Sequence, residues 1–236
     1  MLSGLKLGDL MSGFWLILCG GSLINRNAVL TAAHCIVSFD YDRMVVVRRA
    51  RLGTSTLRPL GGSIHTLAAL AWHPDYNPAT LKSDVAIVKL APDVVFTDKI
   101  RPARIAGPNY ALPDDTTVTV VGWGDIGIDE RLPNVLQKLD IKTVNREFCS
   151  NQYKTLNSIQ EDEYPPVTEQ HICAGNLLGG QDSCSGDSGG PLSHNGDVIV
   201  GIVTFGHLVC GTPNYPGVYV NVANFSQWIV DNAQFD

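Results

Sequence analysis

Long apolar runs are missing from this 236-residue chain. None approaches the ~20 residues that a bilayer-crossing helix needs, so a helical membrane span is excluded. An excess of positive charge is missing too. The 17 Lys+Arg stand against 23 Asp+Glu, a formal net charge of −6, which excludes a broad electrostatic footprint for nucleic acid. There is no CxxC pair of the kind that holds zinc, and no internal repeat, low-complexity tract or long charge run. What is present fits a globular protein. Hydrophobic residues make up 44% and charged residues 17%, enough to bury a sizeable core in one compact unit or two tightly joined halves.

Glycine (23) and proline (13) punctuate short runs rich in Val, Ile, Thr and Leu. Examples are Asp84–Leu90, Thr116–Val121, Asp197–Phe205 and Gly217–Val222. Residues Thr117, Val118, Thr119 and Val120 alternate at period two, as a half-buried strand does. Short strands between regular turn signals predict a sandwich or barrel. One helix is clear. Val222, Phe225, Trp228 and Ile229 share a face, with Asn221 or Asn224 as the cap.

The six cysteines are Cys19, Cys35, Cys149, Cys173, Cys184 and Cys210. Their even number points to disulfides, with 15 pairings open on spacing alone, and so to an oxidising compartment. The opening residues do not read as a secretion signal. Lys6 is followed by Asp9, and the short apolar stretch Phe14–Leu18 runs into Cys19-Gly20-Gly21 without a small-residue cleavage site. A strand entering Cys19 is the expected structure there.

Three segments carry chemistry. In Gly186-Asp187-Ser188-Gly189-Gly190-Pro191 a serine stands among glycines. These let the backbone turn sharply and leave room for a substrate carbonyl beside the hydroxyl. Such a hydroxyl needs a base. The strand-to-helix elbow of α/β-hydrolases has the same Gly-x-Ser-x-Gly pattern. It requires a helix directly after the serine, which Gly189, Gly190 and Pro191 oppose, and a later catalytic histidine, leaving His194 and His207. Upstream, Thr31-Ala32-Ala33-His34-Cys35 offers an imidazole whose ordinary pKa lies near neutrality. Asp84 is a lone carboxylate heading the apolar run Val85–Val88, where a buried charge needs polar partners.

Together these residues resemble the trypsin-like serine proteases of the chymotrypsin family. The matching stretches are Cys19-Gly-Gly-Ser-Leu-Ile24, Leu30-Thr-Ala-Ala-His-Cys35, Asp84-Val-Ala-Ile-Val-Lys-Leu90, Gly122-Trp-Gly124, Ile172-Cys-Ala-Gly175, Gly186-Asp-Ser-Gly-Gly-Pro191 and Pro216-Gly-Val-Tyr219. The order His34, Asp84, Ser188 is that family's order. The resemblance implies an all-β fold of two antiparallel six-stranded barrels, over residues 1–107 and 108–236, with a closing helix at about 222–233. It implies a Ser188 nucleophile, a His34 base oriented by Asp84, and an oxyanion hole made by the amides of Gly186 and Ser188. The implied disulfides are Cys19–Cys35, Cys149–Cys173 and Cys184–Cys210.

It also implies cleavage after Arg or Lys. Asp182 corresponds to the base of the primary pocket, with Ser183 beside it and Gly206 and Gly217 on its walls. Thr204 and Phe205 stand where the family commonly has Ser and Trp, and Ser185 is short where relatives carry a longer polar side chain. Expected partners are protein or peptide substrates with Arg or Lys, and protein protease inhibitors. A secreted monomer is expected, with no membrane or nucleic-acid partner, no cofactor and no metal. No acidic residue lies between Asp42 and Asp75, so calcium is not expected in the loop where some trypsins bind it. Arg48, Arg49 and Arg51 are expected at a solvated strand end. His65, His73, His171, His194 and His207 are expected at surface or turn positions.

One departure stands out. In this family, cleavage creates an Ile- or Val-led terminus whose ammonium pairs with the Asp beside the nucleophile, here Asp187. No Ile/Val-Val/Ile-Gly-Gly segment precedes Cys19. The alternative to a protease is therefore a homologue that binds or regulates without catalysis, with Asp187 turning outward and the Gly186 amide displaced.

Overall fold

The computed structural model describes residues 5–9, 16–37, 48–58, 61–127, 132–160 and 163–234. Residues 10–15, part of the stretch weighed as a secretion signal, lie outside these. So do 43–47 and 59–60 of the segment weighed for calcium. Strands β1 (Leu5–Asp9), β2 (Leu16–Leu23), β3 (Ala28–Thr31), β4 (Arg48–Leu52), β5 (Ser63–Trp72) and β6 (Ala86–Ala91) close into a barrel in the order β1-β2-β3-β6-β5-β4. A single turn of helix, α1 (His34–Val37), follows β3. The strand expected to lead into Cys19 is β2.

The second sheet takes β7 (Arg104–Ile105), β8 (Thr117–Gly122), β9 (Gln137–Val144), β10 (His171–Gly175), β11 (Pro191–His194), β12 (Val198–Phe205) and β13 (Gly217–Asn221). Its order is β11-β8-β9-β10-β13-β12-β7, and β11 also pairs with β12. Six antiparallel strands thus return on themselves, and the two-residue β7 adds to β12 in parallel. The expected six-stranded barrels are present, with this seventh strand as the difference.

Burial explains the sequence patterns. Strands β3, β6 and β12 are buried almost throughout because their outer faces meet helix α3 (Val222–Ala233). They therefore read as continuous apolar runs. β8 covers no such second layer, and its alternation survives as exposed Thr117 against buried Val118 and Val120. α3 begins where expected: Asn221 Oδ1 accepts from Ala223 N at 3.2 Å, and Val222, Phe225, Ile229 and Ala233 are buried. At its end, Lys89 Nζ and Asn25 Nδ2 donate to Ala233 O at 2.6 and 2.8 Å. A cation at a helix C-terminus is favourable, and this one fastens the closing helix to the first barrel.

Several expectations are corrected. A second long helix, α2 (Arg146–Ile159), is capped by Asn145 and buries only Cys149, Tyr153 and Leu156. Arg51 is not at a solvated strand end. It is fully buried and donates to the carbonyls of Thr56, Leu57 and Gly61. His65 and His171 are also buried. His65 lies between Ser63 Oγ (2.6 Å) and Pro92 O (2.9 Å); His171 Nδ1 accepts from Thr168 N at 3.0 Å. An isolated histidine or arginine can enter a core when its polar atoms find partners there. Among the described residues, no helix is long and apolar enough to cross a membrane.

Candidate active site

His34 opens α1, one residue before Cys35, which is bridged to Cys19 of β2. Two bonds set its position. Its backbone N donates to Asp84 Oδ1 at 2.7 Å, and its ring Nδ1 lies 2.7 Å from Asp84 Oδ2. Asp84 has no solvent exposure, so the ring proton belongs on Nδ1 and Nε2 is left as the proton acceptor. A third donor comes from the other sheet, where the Thr204 hydroxyl of β12 bonds to Asp84 Oδ2. Three donors offset the burial of this carboxylate. Thr204, expected at the substrate, turns its hydroxyl to Asp84, a contact whose one clue in the sequence is a hydroxyl inside the apolar run 198–205.

Ser188 sits on the loop leading into β11. Its carbonyl accepts from Gly20 N at 2.7 Å, and Gly189 N donates to Val203 O at 2.8 Å. The loop is pressed against the Cys19–Cys35 bridge, which only glycines allow. A Cβ on Gly189 (φ +75°) would lie 2.9 Å from Gly20 O and 3.0 Å from Cys35 Sγ. His34 Nε2 lies 3.7 Å from the same sulfur. The serine loop and the histidine, from different sheets, therefore meet at one disulfide.

Asp187 turns inward. Its Oδ1 accepts from Gly124 N at 2.7 Å and its Oδ2 from Cys184 N at 3.1 Å, while burial raises its pKa. Any Cβ on Gly122 or Gly124 would overlap this carboxylate, which accounts for the glycines of Gly122-Trp123-Gly124. Gly186, at φ +98°, adopts a backbone that side chains oppose.

A second buried carboxylate lies near by. Asp182 Oδ2 accepts from Gly211 N at 3.2 Å, but its buried Oδ1 has no hydrogen-bond partner. Burial pushes its pKa up to about 6. Gly217 borders that oxygen closely, since its Cβ would lie 2.8 Å from Oδ1. A Cβ on Gly206 would meet only Gly217 Cα, at 3.9 Å. Ser183 Oγ lies 3.0 Å from the hydroxyl of buried Tyr219. Phe205 packs edge-on against Tyr153 and His171, at 5.6 and 5.9 Å between ring centres. The Cys184–Cys210 bridge ties the segments carrying Asp182 and Gly206, and the third bridge joins Cys149 to Cys173. All three bridges are those the resemblance implied. A cavity of ≈ 580 Å³ is lined by Asp182, Ser185, Asp187 and Gly124, with Leu208 and Val209 at its side.

The described residues offer one metal-like group, the Cys19 and Cys35 sulfurs with His34. These sulfurs form a disulfide and present no thiolate to a metal.

Comparison with known proteins identifies the family. The family model described as Trypsin matches residues 9–229. The chain is 38% identical over 216 residues to "Trypsin, alkaline B" of Manduca sexta, covering 91% of this chain and 79% of that protein. It is 37% identical over 217 residues to "Vitellin-degrading protease" of Bombyx mori, covering 91% and 75%. It is 36% identical over 217 residues to "Trypsin" of Phaedon cochleariae, covering 92% and 79%. Sequence, fold and disulfide framework lead to one conclusion: this chain belongs to the trypsin family of serine proteases.

Proposed function

We propose that the chain hydrolyses peptide bonds on the carboxyl side of arginine or lysine, with Ser188, His34 and Asp84 as its catalytic residues. The observation that carries this reading is the buried Asp84 holding His34 by both ring and backbone against the disulfide on which the Ser188 loop rests. Ser188 Oγ attacks the scissile carbonyl carbon while its proton passes to His34 Nε2. The negative charge on the carbonyl oxygen is received by the amides of Gly186 and Ser188. Collapse of this intermediate expels the amine, which takes the proton from His34, and leaves an acyl group on Ser188. Water then attacks the ester with His34 again as base. Asp84 orients the ring and stabilises the imidazolium.

Asp182 supports the choice of substrate. A buried carboxylate with one unsatisfied oxygen gains most from a cation, and Gly206 and Gly217 leave space for a long side chain to reach it. Ser183 stands beside this floor, and Phe205 offers an apolar platform above it. Asp187 is read as the acceptor for the α-ammonium of an activated chain. Its inward position, flanked by Gly122 and Gly124, supports that role. The three disulfides fit a secreted enzyme, and residues 1–107 and 108–236 act as two lobes that contribute His34 with Asp84 and Ser188 respectively.

Matched arginine and phenylalanine esters test the reading. Preferential hydrolysis of the arginine ester is expected. Preference for phenylalanine would overturn the role of Asp182, and turnover of neither would overturn the catalytic assignment.

A further inference from the structure

A fully buried cation sits within a loop that has no acidic residue. Arg51, at the end of β4, sends Nε to Gly61 O at 2.5 Å, Nη1 to Leu57 O at 3.0 Å and Nη2 to Thr56 O at 3.3 Å. One guanidinium thus gathers three carbonyls of a single loop, with the rigid fork geometry that a lysine lacks.

The gathered loop does not stop at its own barrel. Leu57 N donates to Asn134 O at 2.7 Å and Leu136 N to Ser55 O at 2.8 Å. Arg58 N donates to Asn134 Oδ1 at 2.7 Å, and Asn134 Nδ2 returns a bond to Arg58 O at 2.9 Å. Thr56 and Val135 form an antiparallel bridge. This short ladder spans the two halves of the molecule. Two residues before Asn134 stands Leu132, whose Cδ2 would lie 3.5 Å from a Cβ on Gly186. Leu132 covers one side of that glycine, and Gly124, with its Cα at 3.3 Å from the same point, covers another.

Gly186 has no side chain to anchor its peptide plane, so its neighbours must hold the amide in place. We propose that Arg51 and the 55–58/134–136 ladder are a positioning device that seats Leu132 against Gly186 and so fixes the oxyanion-binding amide. The proposal rests on Gly186 being an oxyanion donor. Its physical content is a contiguous chain of contacts from a buried cation in the first barrel to the reaction centre in the second. An amide that wanders is a loss felt in the transition state, where the oxygen carries charge, and hardly at all in ground-state binding.

The test uses the full chain with an arginine amide substrate. Asn134→Ala cuts the ladder and Leu132→Ala removes its contact. Each is expected to lower kcat roughly five- to twentyfold, the range usual for coupling through neighbouring contacts, with KM changed less than about twofold. The double variant should be no worse than the weaker single variant, because both act through one route. Arg51→Met should show the same split, with Arg51→Lys intermediate. Should either Arg51 variant fail to fold, the Asn134 and Leu132 variants decide alone. Unchanged kcat in both, a loss confined to KM, or independent multiplication of the two effects would overturn the proposal. A parent chain that turns over arginine esters while these variants match it sinks the positioning role only; a parent without turnover removes the role of Gly186 as well.

Discussion

Two aspartates show how one residue type serves opposite ends when its surroundings differ. Asp84 is wholly buried and receives three hydrogen bonds, from His34 twice and from Thr204. Asp182 is buried with one oxygen lacking a donor. The first is satisfied by its neighbours; the second keeps an oxygen that, in the proposed reading, a substrate cation satisfies. Thr204→Val keeps the shape of the side chain but removes one donor to Asp84. A net loss of about 1–2 kcal/mol in stability follows from a buried acceptor losing a partner. The same change should lower kcat on an arginine ester while leaving the preference for arginine over phenylalanine intact, and steady-state kinetics on both esters checks it. Asp182→Asn should do the reverse. It removes a charge whose burial is unfavourable, so urea unfolding at pH 8 should show a gain of roughly 1–3 kcal/mol, while the arginine preference collapses. A stabilised variant that kept its preference would contradict the pocket assignment.

Elements differ in how openly their sequence declares them. The closing helix is plain because Asn221 caps it and a wide face of Val222, Phe225 and Ile229 is buried. The α2 helix is not, since three buried residues in fourteen make too thin a stripe to stand out. The segments carrying the proposed catalytic residues are legible because each needs a specific residue type beside glycine or cysteine. Arg51 is illegible because its partners come from a loop whose conformation no local pattern encodes. Thr204 and Asp84 lie 120 positions apart, beyond what periodicity can report. The ends of α3 also carry a prediction. Lys89 donates to Ala233 O from a buried position, so Lys89→Met should loosen the helix C-terminus. A loss of ~1–3 kcal/mol is expected, as for other hydrogen bonds to a charged group, with faster hydrogen exchange at the α3 amides than at those of β9. Equal exchange in both would contradict the fastening role.

At the scale of the whole molecule, two buried groups give the pH dependence of stability opposite slopes. The folded chain holds the Asp182 proton up to a pKa of about 6, above the ordinary 3.8. This term favours the fold below pH 4 and is lost as pH rises through 6. His171 is the converse. Burial lowers its pKa from 6.5 to about 4, so the fold resists its protonation, and stability falls as pH drops from 6.5 toward 4. The two terms oppose one another in the parent chain, and Asp187, whose pKa burial also raises, adds to the Asp182 side. Relative to the parent, His171→Met should therefore shift the change in stability between pH 6.5 and 4 toward a gain, whereas Asp182→Asn should shift it toward a loss. Urea midpoints at four or five pH values across that range read both shifts, and shifts of the same sign would refute the burial of one group or the other.

In the proposed reading His34 of one lobe is the base for the Ser188 hydroxyl of the other, so the reactivity of that hydroxyl reports the whole arrangement. A phosphonylating serine reagent, followed by peptide mapping, measures it directly. Labelling should fall on Ser188 alone, at one group per chain, and should be abolished by His34→Ala. Labelling spread over several serines, or a Ser188 adduct forming equally fast without His34, would contradict it.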